Sequence, residues 1–509
     1  MTNKKNTKII YILLFVSFFI THFYQLLHQH WSGVLDQDLV IIYNSILLNS
    51  GIEQEYRDHP AFTTFLINSL IYKFLNIFSN IPYDIDSILN ANNINEIFQY
   101  YFYVSRTVNF FCNLLLILFF NKILKKLNVK EEIRFLTCLI FITSIGYIWS
   151  FFVIRSENIS LLFLILAINA ALSKNRNKIL NFFIAGIFFA FAMLAKIQII
   201  FLALYLIYLI PNIIHTSSFN LIHNSYLKNY LILSFLFFFF SYFVFQFYIQ
   251  EFPRFQSNTY LDLYVFTLSF LTFIFYFYFS NYFKLNILIL SSMVNGFFFL
   301  ILLIFFLDRI NILHVNNFIF LRITNPIHYM TEYMGNTKTN IPVNFDYIQK
   351  NIKVFFSNYQ FNKIELLLLI SLIFVNLKNR SINFIIILIF FINALLMNFR
   401  FHAAYYLFYI FIYLILFIEM LKKMNTKLSI RFTYIALVVF FINSIQSFFS
   451  TKNNTLNQIL NRENTMSKTC NQYKLGNQID SYKEIFEYIK YWHVKIDDKK
   501  IKKICDEIT

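Results

Sequence analysis

Apolar runs of about 15 to 25 residues, separated by short polar connections, recur along almost the whole chain. A helix advances about 1.5 Å per residue, so runs of this length match a hydrocarbon core about 30 Å thick. The pattern predicts about thirteen spanning helices, at roughly residues 8–26, 100–121, 135–153, 158–172, 179–195, 197–211, 230–250, 260–280, 285–307, 363–377, 382–398, 403–421 and 432–449. The expected fold class is all-α, a polytopic integral membrane protein. Polar stretches at 28–99 and 308–363 read as two large loops inside a transmembrane domain of residues 1–450, and a small polar tail follows over 451–509. No internal repeat or low-complexity linker is visible.

Charge gives the orientation. Lys4, Lys5 and Lys8 precede the first apolar run, which places the N-terminus in the cytoplasm. Threading from there puts Lys122, Lys125, Lys126 and Lys130, then Lys174, Arg176 and Lys178, then Lys378 and Arg380, then Lys422, Lys423, Lys427 and Arg431 on the same cytoplasmic side. The 28–99 loop instead holds Asp36, Asp38, Glu53, Glu55, Asp58, Asp84, Asp86 and Glu96 against Arg57 and Lys73, as a translocated segment does. It is the first outer loop, 308–363 is the second, and the C-terminus lies outside. The run from Ile9 to Ile20 continues toward Tyr24 without a small-residue cleavage site, so it is expected to stay as the first span.

Pro60 to Phe78 is apolar enough to be counted as a further span, but that would invert every later segment and put the basic connections outside. Lys73 with Thr63, Thr64, Asn68 and Ser69 suits an amphipathic helix lying in the interface and packed on its neighbours. The short runs 179–195 and 197–211 also allow a re-entrant pair around Lys196. With 58% hydrophobic and 14% charged residues the chain is not a soluble domain. The 43 Lys and Arg against 26 Asp and Glu do not indicate a nucleic-acid partner, because the positive charges sit in the connections between spans.

Candidate chemistry gathers at the outer ends of the helices. Leu35-Asp36-Gln37-Asp38 follows the first helix, and Asp58-His59-Pro60 opens the interfacial one. Carboxylates so placed accept a proton from an incoming hydroxyl, or else cap helix starts at Leu39 to Ile42 and after Pro60. Arg155 and Glu157 lie in a very short outer connection, suited to meeting a phosphate and sugar hydroxyls, or to a local pair that snorkels to water. Lys196 is a lone cation in a long apolar stretch, answered either by a lipid phosphate or by a turn that lets the ammonium reach water. Arg106, and Arg400 with His402, Tyr405 and Tyr406, offer guanidinium groups to phosphate oxygens or act as interfacial anchors. These clusters are far apart in sequence, and the threading puts all of them on one side.

Cys112 and Cys138 fall within apolar helices. Cys470 and Cys505 lie in the tail, which on this topology is in an oxidising compartment and suits a disulfide; the alternative is two free thiols in a cytoplasmic tail. No zinc-ligand spacing occurs, and no cofactor is indicated. A divalent metal near His28, His30 and His59 is open, although an interfacial role for these histidines is the simpler reading.

In these landmarks the chain resembles the GT-C glycosyltransferases, in particular the group with protein O-mannosyltransferases, the lipid A aminoarabinose transferase and their bacterial relatives. The likeness rests on Asp36-Gln37-Asp38 after helix one, on interfacial helices from Asp58-His59-Pro60 onward, and on Arg106 near the start of helix two. Arg155 and Glu157 in the next outer loop, and the helix from Ala185-Gly186 to Lys196, continue it. It covers residues 8–210 well, while Arg400 and Tyr405 resemble a late Arg/Tyr stretch. The resemblance implies an inverting transfer from a polyprenyl-phosphate sugar to a lipid or glycan acceptor, on the outer face of a bacterial inner membrane. Asp36 or Asp38 would be the base, with Lys196, Arg106 and Arg400 around the phosphate and Asp58, His59, Arg155, Glu157 and Tyr405 in the substrate site. A sizeable folded C-terminal domain, present in the best-known members, is lacking, so the acceptor does not carry over. The competing readings are a transporter or flippase for lipid-linked glycans, which usually shows related halves and mid-membrane polar residues, and a polymerase or ligase using diphosphate-linked donors.

Overall fold

The computed structural model describes residues 38–54, 61–91, 93–173, 178–200 and 283–315, with isolated positions among 16–31, at 233, 236, 319 and 320, and between 407 and 442. Asp36, Asp58, His59, His28, His30, Arg400, Tyr405, Cys470 and Cys505, the spans expected from 201 to 280 and after 363, and the tail lie outside the described residues.

Every element among the described residues is helical. In chain order they are α1 (Asp38–Asn49), α2 (Phe62–Ser79), α3 (Ile85–Asn90), α4 (Ile94–Lys126), α5 (Glu131–Thr143), α6 (Ile145–Phe152), α7 (Ser156–Ala171), α8 (Lys178–Ala195) and α9 (Phe283–Arg309), with a 3-10 turn at Ile197–Ile199. Among the described residues two helices are long and apolar enough to cross a membrane, within α4 and α9, or three if the bent pair α5 and α6 is one span. At 33 residues, α4 is about 50 Å long, more than a hydrocarbon core about 30 Å thick requires.

The span expected over 135–153 is broken, with α5 and α6 meeting at an angle of 56°. The hydroxyls at the junction account for it. Thr143 Oγ1 donates back to Leu139 O at 2.9 Å and Ser144 Oγ to Phe141 O at 2.7 Å. Ser144 is itself extended, with ψ 145°, and its side chain caps the next helix by accepting from Tyr147 N.

The 60–78 stretch forms α2, whose buried face mixes Phe62 and Phe65 with hydroxyl and amide side chains. Thr63, Thr64, Asn68, Ser69 and Tyr72 are buried against the other helices. Leu70, Phe74, Ile77 and Phe78 point outward, with Phe78 73% exposed. Tyr72 Oη meets Ser105 Oγ on α4, Ser69 Oγ donates to Asn49 Oδ1 of α1 at 2.5 Å, and Thr63 Oγ1 donates to Phe191 O of α8 at 2.7 Å. Exposed aliphatic and aromatic side chains on the outward face, beside Lys73, suit a helix whose outer side meets lipid near the interface.

Helices α8 and α9 cross backbone to backbone. A Cβ at Gly186 would fall inside the carbonyl of Met293, and one at Gly296 inside the carbonyl of Phe183. Small residues at such crossings let membrane helices approach closely. Helix α8 then stops at Lys196, whose extended backbone (φ −154°) precedes the 3-10 turn, at the boundary the hydropathy pattern marked between 195 and 197.

A lysine cluster marks one end of the described helices, beside Glu131 and Glu132 at the start of α5. Lys126 at the end of α4 donates to Asn169 O near the end of α7 at 2.5 Å, and Asn169 Nδ2 returns to Phe119 O at 3.1 Å. This end carries Lys122, Lys125 and Lys130. The start of α7 lies at the other end, where Glu157 meets Arg155 and Lys196. There Gln54, in the segment assigned to the first outer loop, donates to His314 O at 2.6 Å, in the segment assigned to the second.

Candidate functional site

The site is assembled from helix ends. Asp38 is the first residue of α1 and is fully buried. Its Oδ2 accepts from Arg106 Nη2 of α4, and its Oδ1 accepts from the amide of Ile154. Ile154 has that amide to give because it lies between α6, which ends at Phe152, and α7, which begins at Ser156. Arg106 is 1% exposed, sits 5.1 Å over the Phe102 ring, and places Nη2 3.4 Å from Gln29 Oε1. Gln29 is tied in turn by Gln99, whose Nε2 donates to its backbone carbonyl at 3.0 Å.

Directly after Ile154, the second charge cluster begins. Arg155 grips Glu157 bidentately, Nε to Oε2 and Nη2 to Oε1, both at 3.0 Å. Lys196 Nζ, arriving from the end of α8, lies 3.0 Å from the same Oε1. The three side chains are 4%, 0% and 0% exposed. Glu157 therefore joins the start of α7 to the break after α8. The alternatives in which the Arg155–Glu157 pair or the Lys196 ammonium reaches water do not describe the structure. Charges removed from water this completely cost several kcal/mol each unless they are paired, and here each finds an opposite charge.

An uncharged frame holds the α6–α7 break in place. Asn109 Nδ2 donates to Ser150 O at 2.8 Å and lies 3.4 Å from both Phe151 O and Val153 O. Asn158 Nδ2 donates to Asn109 Oδ1 at 2.6 Å, and Asn113 Nδ2 reaches Ser150 O at 3.1 Å. These carbonyls end a helix and lack helical partners, so side-chain amides take their place. Ser160 Oγ donates to Ala192 O at 2.7 Å, tying α7 to the last turn of α8 just before Lys196.

Of the residues singled out in the sequence, the structure brings together Asp38, Arg106, Arg155, Glu157 and Lys196. Gln29, Asn109 and Asn158 were missed. A signal for Asn109 existed: Arg106, Asn109 and Asn113 recur at helical spacing within an otherwise apolar run, which marks one polar face of α4 turned into the protein. Among the described residues no group of three or more His, Cys, Asp or Glu comes together to hold a metal ion. Cys112 and Cys138 are buried thiols within α4 and α5.

Asn109→Leu is expected to lower stability by roughly 2 kcal/mol, because it strips partners from the carbonyls of α6 and from Asn158 at once. Thermal unfolding in detergent checks this; a melting temperature unchanged from the wild type would show that the amide frame contributes nothing.

Comparison of the chain with protein-family models, with curated protein sequences and with solved structures finds no match.

Proposed function

We propose that the protein is a membrane-embedded group transferase working on lipid-linked substrates at the outer face. More particularly, it is an inverting glycosyltransferase of the GT-C type that uses a polyprenyl-phosphate sugar. One observation supports the reading: two buried charge clusters, Asp38 with Arg106 and Glu157 with Arg155 and Lys196, adjoin through Ile154 and Arg155 at the end of the described helices away from the basic connections.

The chemistry needs these groups. An acceptor hydroxyl attacks the anomeric carbon of the donor, the bond from that carbon to the phosphate oxygen breaks, and polyprenyl phosphate departs with the electron pair. The hydroxyl proton passes to a carboxylate, for which Asp36 and Asp38 are the candidates. Negative charge builds on the leaving phosphate, and Arg106, Arg155, Lys196 and Arg400 supply the cations to stabilise it. Glu157 orients hydroxyls or holds the cations, while Asp58, His59 and Tyr405 belong to the substrate site. The frame is a thirteen-span chain in a bacterial plasma membrane, N-terminus in the cytoplasm and C-terminus outside, with a lipid or glycan acceptor.

Purified protein in nanodiscs, offered a panel of polyprenyl-phosphate sugars, is expected to release polyprenyl phosphate when acceptor lipid is present. Donors that stay intact, while the protein in liposomes carries labelled lipid-linked sugar between leaflets, would replace the transferase by a transporter. Turnover only of diphosphate-linked oligosaccharides would replace it by a polymerase or ligase.

A further inference from the structure

Beside Arg106 lies a titratable side chain with no role so far. His22, toward the outer end of the first expected span, is 5% exposed and stacks on Phe110 of α4, with ring centroids 4.7 Å apart and planes 22° from parallel. It also meets Phe151 of α6 edge to face at 6.1 Å, just before the break that leads to Ile154 and Arg155. Phe110 follows Arg106 by one helical turn, so imidazole and guanidinium share one face of α4. The imidazole stands within reach of the Arg106 charge.

Both groups hold buried nitrogens that the protein does not answer. Arg106 spends Nη2 on Asp38 and Gln29, while its Nε and Nη1 meet no hydrogen-bonding partner among the described residues. The same is true of His22 Nε2. Buried polar nitrogens are rarely left this way, because each has given up its water for nothing. A guanidinium can only donate, so the group that completes it has to be an acceptor. Phosphoryl oxygens offer several lone pairs together with negative charge, and N–H groups bind them more strongly than neutral acceptors. The Phe102, Phe110 and Phe151 rings pack around the two side chains, and such a surround strengthens the hydrogen bonds made inside it.

We infer that His22 is a donor-binding residue: its Nε2, together with Nε and Nη1 of Arg106, holds a phosphoryl oxygen of the lipid-linked donor. Asp38 and Gln29 fix the guanidinium through Nη2, and the remaining nitrogens face the phosphate. His22 donates from Nε2, so the ring carries its hydrogen there when the donor is bound. This assignment rests on the transferase reading above and adds to it a residue that recognises phosphate.

Titration of the full chain in nanodiscs with a polyprenyl phosphate, and separately with the corresponding polyprenol, tests it. The wild type is expected to prefer the phosphate. His22→Phe keeps an aromatic ring on Phe110 and removes the N–H; it is expected to melt like the wild type, to bind the phosphate roughly tenfold more weakly, and to bind the polyprenol unchanged. His22→Gln, whose amide places an N–H near the position of Nε2, is expected to keep most of the phosphate affinity. A His22→Phe protein that binds the phosphate as the wild type does overturns the assignment. So does a His22→Gln protein as weak as His22→Phe, since the N–H is then not what binds. Phosphatidylglycerol that displaces polyprenyl phosphate as readily as polyprenyl phosphate itself also overturns it, by making the subsite one for bulk anionic lipid. A wild type that shows the expected preference and moves no sugar supports the phosphate subsite and removes the transferase reading; one that moves sugar without the preference removes the subsite alone.

Discussion

Glu157→Gln is expected to be among the most damaging single substitutions in the described part of the chain, costing about 3 to 5 kcal/mol. The side chain keeps its shape and loses the charge that Arg155 and Lys196 share. Breaking a buried ion pair from one side is worse than never having built it, because the remaining charge stays out of water. Two cations meet this one carboxylate, so its loss is expected to disturb both contacts at once. Lys196→Met, which leaves the bidentate Arg155–Glu157 grip in place, is expected to cost clearly less. Thermal unfolding of the purified variants reads the order, and a Glu157→Gln protein that melts like the wild type would contradict it.

Gly186→Val is expected to have the second large effect. The new side chain has nowhere to go except into the Met293 carbonyl, and a backbone carbonyl does not step aside as a flexible side chain does. Overpacking of this kind costs about 1 to 3 kcal/mol or more. Separation of α8 from α9 would also shift the end of α8, where Lys196 meets Glu157. Gly296→Ala meets the Phe183 carbonyl at the same crossing. The two substitutions together are therefore expected to cost less than the sum of their separate effects, because one displacement of the helices relieves both. Additive losses would show that the glycines act independently. Leu303→Ala on the outward side of α9, 43% exposed, serves as the near-neutral control.

Much of the described helical layout was legible in the hydropathy pattern because lipid imposes a length on apolar runs. Helices α4 and α9 fall where spans were expected and are long enough to cross, α7 and α8 cover expected runs as shorter apolar helices, and α2 packs on its neighbours. The break between α5 and α6 was not legible. It depends on which carbonyls the Thr143 and Ser144 hydroxyls choose, and hydropathy does not encode a hydrogen-bond choice. The packing of α2 was half legible: its polar residues announced an amphipathic helix, while the burial of Thr63, Ser69 and Tyr72 required tertiary contacts with Phe191, Asn49 and Ser105.

For the site, lone charges inside apolar stretches were the useful signal, because such charges are costly enough to demand partners. Arg106, Arg155, Glu157 and Lys196 were found that way. The local Arg155–Glu157 pair was among the readings, but nothing in the spacing joins Lys196 to Glu157 or Arg106 to Asp38 across such separations in the chain. The amide frame of Asn109 and Asn158 escaped notice because asparagine is common throughout this chain and uncharged.

The central claim is that one outward-facing site is built from distant segments, and sidedness tests it most directly. Single cysteines at Glu53, Asn80 and Asn311, all exposed in the structure, are introduced into a cysteine-free chain along with one at Asn128, exposed beside the basic end. Intact cells are treated with a membrane-impermeant thiol reagent. Labelling at 53, 80 and 311 from outside, with 128 reached only after the membrane is opened, is the predicted result. Labelling of 128 from outside, or protection of any of the other three, would place the segments around the site on opposite faces and contradict the account.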